Sequence, residues 1–66
     1  MYIEKYTVYV KDLASKKVKK IKIDENDAWE AHKKAFEDTH NLKQEISKIT
    51  DYLGNTVYTI NSGFVI

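Results

Sequence analysis

The chain contains no cysteine, no arginine, only two glycines and no long apolar run. Without cysteine there can be no disulfide and no thiolate metal site, and cysteine usage says nothing about redox compartment. Without arginine the chain lacks the planar forked donor that best grips a phosphate or a guanine edge; all of its eleven basic residues are lysines. Gly54 and Gly63 are too few for a phosphate-cradling loop. The N-terminal stretch MYIEKYTVYVK alternates charged and apolar residues. Neither a signal peptide nor a membrane span is therefore expected, and the cytoplasm is the expected location.

What is present bounds the protein further. Sixty-six residues predict one domain. A domain of this size hides only about 60% of its unfolded surface, so its core is small and an additional staple such as oligomerisation matters. Eleven lysines against ten carboxylates leave a formal charge of +1, too little for a global field that draws the chain to nucleic acid or membrane. Lysine, isoleucine, asparagine and tyrosine together make 27 of the 66 residues. All four have AT-rich codons, which weakens any functional reading of lysine abundance by itself.

Periodicity predicts the elements. From Tyr2 to Val10 the residues alternate, with Tyr6, Val8 and Val10 on one face and Ile3, Lys5, Thr7 and Tyr9 on the other, as a strand requires. A polar turn around Asp12 and Ser15 leads to a second strand over residues 17 to 23, completing a hairpin. Ile21 and Ile23 share a face that Val18 misses by one residue. Either a bulge at Lys19 and Lys20 restores Val18 to that face, or Val18 lies outside beside Lys20 and Lys22.

DENDAWEAHKKAFEDTHN reads as an amphipathic helix of about 15 residues, about 22 Å long, with Asp24 as its cap, Ile23 and Ala28 as a staple and Asp27 in the capping-box position. Ala28, Ala31 and Ala35 with Trp29, His32 and Phe36 form its apolar face. Glu30 and Lys34 pair at i,i+4 on the other side. Asn41 is the expected left-handed terminating residue, and Leu42 is expected to fold back on Phe36.

Gly54-Asn55 signals a two-residue turn. Counting outward pairs Leu53 with Thr56, Asp51 with Tyr58 and Ile49 with Ile60 on the core face, and Tyr52 with Val57, Thr50 with Thr59 and Lys48 with Asn61 on the other. Ser62-Gly63 predicts a bend before Phe64 and Ile66. The fold class is thus α+β: a ββαββ order forming a four-stranded antiparallel sheet with one helix packed on one face, its strand order open.

A single helix roofs one side of a sheet only, so Ile3, Tyr9, Tyr52 and Val57 on the uncovered side and Phe64 and Ile66 in the tail are the candidate contacts for a protein partner. The run ASKKVKKIK supplies the alternative: Lys16, Lys17, Lys19, Lys20 and Lys22, with Tyr9 as a stacking surface beside them, as a nucleic-acid footprint. Opposing it, the following helix carries nearly as many carboxylates, and lysine is a usual guard of edge strands. The edge-guard reading is favoured.

Catalysis is not expected. His32 lies between Trp29 and Phe36 on the apolar stripe, where a packed imidazole is the expected state; with His40 it makes no recognised metal spacing. Ser15, Ser47 and Ser62 sit in no nucleophile elbow. Asp24, Glu25 and Asp27 lie where a helix N-terminus favours negative charge. No metal or cofactor is expected, and a small sheet with one helix offers little concavity.

In size and AT-rich composition the chain resembles small accessory proteins of phages and mobile elements of low-GC bacteria. That resemblance implies modulation of a host protein through a surface and assigns no residue. A non-enzymatic protein-binding module, forming a homodimer, is the function expected from the residues.

Overall fold

A computed structural model describes residues 3–39 and 43–65. Strands β1 (Glu4–Asp12) and β2 (Val18–Glu25) precede helix α1 (Ala28–Thr39), followed by β3 (Gln44–Thr50), β4 (Thr56–Thr59) and β5 (Gly63–Phe64). All pairings are antiparallel, in the order β2-β1-β3-β4-β5. The α+β architecture with one helix on one sheet face is as expected; the sheet has five strands rather than four.

The alternation of β1 sets the inside of the molecule. Tyr6, Val8 and Val10 are buried and stand opposite Ile23, Ile21 and Lys19 of β2 on the helix side. Ala31 and Ala35 bring the helix down onto this row, because a methyl side chain lets the helix axis approach closely. Ile46 and Ile49 complete the core. Three residues apart, these isoleucines break the period of two, and the register shift between Tyr9 and Val10 resolves it: Val8 faces Ile49, Val10 faces Ile46, and Ser47 is the extra residue. The Ser47 hydroxyl donates to the Tyr9 carbonyl at 3.1 Å. The bulge thus lies in β3, whereas β2 pairs with β1 without interruption from Val18 to Glu25 and leaves Val18 exposed beside Lys20 and Lys22.

The helix begins three residues later than expected. Asp24 and Glu25 remain in β2 opposite Lys5 and Glu4. Asp27 is the cap: its carboxylate accepts the Glu30 amide at 2.9 Å, and its carbonyl accepts the Ala31 amide at 3.1 Å. At 12 residues the helix is about 18 Å long. Lys34 reaches Glu25 across the connection at 3.7 Å. At the far end, the Thr39 hydroxyl donates to the Ala35 carbonyl at 3.0 Å. Asn41 and Leu42 lie outside the described residues.

The second hairpin departs most from expectation. In place of a two-residue turn, residues 51–55 form a loop around Asp51, whose carboxylate accepts the Leu53 and Asn55 amides, each at 2.9 Å. The Asp51 amide donates to the Asn55 carbonyl at 2.9 Å, and a bulge sets Thr50 opposite Thr56. Ile49 consequently pairs with Tyr58 rather than Ile60. The slip is by two, so Tyr58 keeps the core-side parity. Leu53 and Ile60, expected in the core, are 68% and 48% exposed. The side-chain carboxylate organises more backbone donors in the longer loop than a tight turn offers it.

Gly63 explains the fifth strand. At φ 77° it takes the left-handed conformation that reverses the chain, and Phe64 returns to pair with Tyr58.

Candidate interaction surfaces

Two surfaces stand out, one on each side of the sheet. On the helix side, successive residues are rotated by about 100°, so Trp29 and Phe36 project about 100–120° away from the line of Ala31, Ala35 and Thr39 that meets the sheet. Beyond that line they overhang β4 and β5. Trp29 packs on Phe64 with ring centroids 5.3 Å apart. His32 stacks on Phe36 at 6.3 Å and meets Tyr58 and Phe64 edge-on at 4.7 and 5.5 Å. Tyr58 and Phe64 close the cluster at 4.8 Å. Although tied into this network, Trp29 and Phe36 are 62% and 54% exposed, and Val65, next to Phe64 in sequence, is 61% exposed.

His32 is packed among aromatic rings, and burial lowers its pKa. Tyr6 donates from its hydroxyl to a Glu4 carboxylate oxygen at 2.6 Å; burial first, and this bond second, push its pKa upward.

The opposite face of the sheet carries Lys5, Thr7, Tyr9 and Lys11 from β1, Val18, Lys20, Lys22 and Asp24 from β2, and Glu45, Lys48 and Thr50 from β3. At its centre the Tyr9 ring lies between two ammonium groups, Lys48 Nζ at 4.7 Å and Lys20 Nζ at 5.5 Å from the centroid.

At the β1–β2 turn, the Asp12 carboxylate accepts the Ala14 and Ser15 amides at 2.8 and 3.1 Å, and these bonds lower its pKa. An open depression of about 400 Å³ between this turn and the sheet is lined by Val10, Lys17, Lys19 and Gln44, whose buried Oε1 has no hydrogen-bond partner among the described residues.

The residues expected from the sequence to bind a partner do not form one surface. Tyr9 stands among lysines on the uncovered face, whereas Phe64 joins the rings on the helix side. Ile3 and Tyr52 are 61% and 57% exposed, Val57 is half-buried against the core, and Ile66 lies outside the described residues. The lysine run is likewise divided: Lys16 sits in the turn at φ 66°, Lys17 lines the depression, Lys19 takes the helix side opposite Val10, and only Lys20 and Lys22 share the uncovered face. β2 is an edge strand, as the guarding role of its lysines requires.

Trp29, Phe36 and Tyr58 were legible only as core residues, because a helical wheel shows an apolar stripe without the width of the sheet beneath it. Lys48 had no signal of its own; its place beside Tyr9 depends on strand order and on the Ser47 bulge.

Comparison of the chain with protein-family models, curated proteins and solved structures returned no match, so the functional reading rests on its own residues. Among the described residues, no helix is long and apolar enough to cross a membrane.

Proposed function

We propose that the protein is a non-enzymatic interaction module that binds another protein through the patch of Trp29, Phe36 and Phe64, and that it forms a homodimer on this patch. The observation that carries the reading is the exposure of Trp29 and Phe36, each more than half open to solvent while held by ring contacts to the fold. Aromatic side chains fixed in this way lose little entropy on association and supply most of the energy at protein interfaces. Among the described residues the buried cluster contains eight side chains, two of them alanine, so a second copy covering the rings also supplies the staple that a domain of this size favours. The compositional resemblance to accessory proteins of mobile elements supports a role in modulating a host protein by occupying its surface.

Sedimentation velocity of the wild type and of Trp29→Glu tests the reading. A dimer that becomes monomeric in the variant is expected, with circular dichroism showing that the monomer still folds and with a lowered melting temperature, since Trp29 also packs on Phe64. A wild-type monomer at high concentration that also retains no host protein in a Trp29-dependent manner overturns it.

A further inference from the structure

The uncovered sheet face is chemically unlike the aromatic patch, and its lysines have an arrangement that edge protection does not explain. Of the charged groups on this face, Lys5, Lys11, Lys20, Lys22 and Lys48 oppose Asp24 and Glu45, a net of +3 on one face of a chain whose total is +1. The two carboxylates stand opposite Lys5 and Lys11 in the register. Lys20, Lys22 and Lys48 have no carboxylate opposite them, and none of the three makes an ion pair with a described residue. Lys20 and Lys22 lie on edge strand β2, where guarding against sheet-to-sheet pairing accounts for them. Lys48 lies on β3, with β1 and β4 on either side, where there is no edge to guard.

Tyr9 gives this charge a centre. From neighbouring strands, Lys20 and Lys48 flank its ring, their backbones about 10 Å apart across the sheet, with Lys22 about 7 Å from Lys20 along the strand. Thr7 and Thr59 fill neighbouring positions with short hydroxyl side chains, and Thr50 opposite Thr7 is buried. A planar aromatic group flanked by two cations fits a ligand that alternates flat rings and negative charges. Each base offers a face for the ring, while phosphates draw the ammonium groups aside.

We propose that this face binds single-stranded nucleic acid without sequence specificity, one base stacking on Tyr9 and adjacent phosphates engaging Lys20, Lys22 and Lys48. Lysine rather than arginine suits such a role, since a point charge follows the backbone without reading base edges. The surface is independent of the aromatic patch, which lies on the other side of the sheet.

The experiment is fluorescence anisotropy of a labelled oligothymidylate titrated with the full chain at several salt concentrations. Three phosphate contacts on a single strand predict a log–log slope of about −2, or about a 15-fold loss of affinity between about 50 and about 200 mM salt. Tyr9→Thr, which keeps a strand-favouring residue, is expected to weaken binding about tenfold. Lys48→Glu and Lys20→Glu should each weaken it further, while Lys33→Glu on the helix leaves it unchanged; circular dichroism confirms that each variant folds. Absence of binding at low salt overturns the proposal. So does binding that Tyr9→Thr leaves intact, or competition by polyglutamate as effective as by unlabelled oligonucleotide, since either identifies a surface for any polyanion.

Discussion

Trp29 on the helix and Phe64 in the last strand meet with ring centroids 5.3 Å apart and planes tilted by 48°. This contact, with those from His32 and Tyr58, fastens a two-residue strand that has few backbone hydrogen bonds of its own. Phe64→Ala is expected to cost about 1–2 kcal/mol, less than a fully buried phenylalanine because the residue is only partly buried. Trp29 is the only tryptophan. Its emission should shift to longer wavelength in the variant, and urea unfolding followed by that emission measures both effects; unchanged emission would show that the rings do not anchor β5.

The cluster also makes stability depend on pH. Burial depresses the His32 pKa in the folded state, so between the ordinary histidine value of about 6.5 and the folded value the unfolded chain binds more protons. Stability is therefore full above that window and falls as pH drops through it. Melting temperatures from neutral to mildly acid pH should decline in the wild type, and His32→Leu should flatten this part of the profile. An identical slope in the variant would assign the effect to another group.

Lys16 holds a left-handed conformation, φ 66°, that strains any residue with a Cβ. Lys16→Gly relieves the strain but frees the unfolded chain, and the difference should favour the fold by about 0.5–1 kcal/mol. A rise of several degrees in melting temperature is expected for a domain of this size. A fall would indicate that the lysine side chain contributes to the turn.

Two candidate caps can be separated directly. Asp27→Ala removes the acceptor for the Glu30 amide and should cost about 1 kcal/mol, with loss of helical signal. Asp24→Ala alters a strand position facing Lys5 and should change stability by about 0.5 kcal/mol or less. Equal losses in chemical denaturation would contradict the cap at Asp27.

Much of this architecture was legible in advance because it follows from local periodicity. The alternation of Tyr6, Val8 and Val10 named the buried face of β1, and the helical spacing named an apolar stripe of which Ala31 and Ala35 are buried against the sheet while Trp29 and Phe36 are not. Where the fold departs from the simple pattern, a side chain competes with a backbone rule. Asp51 drew the second turn into a longer loop and moved the register by two, exposing Leu53 and Ile60. A two-residue spacing could not place Ile46 and Ile49 on one face until Ser47 was set aside in a bulge.

By itself the sequence determined the α+β class, the faces of β1 and the exclusion of thiol chemistry, since these depend on residue types and on spacings within one element. Tertiary structure decided which elements became neighbours. It set Lys48 against Tyr9, swung Trp29 and Phe36 past the end of the helix's contact with the sheet, and brought Phe64 back beneath them. Strand order, bulges and the width of a sheet relative to its helix are properties of packing between distant segments, and no local pattern encodes them.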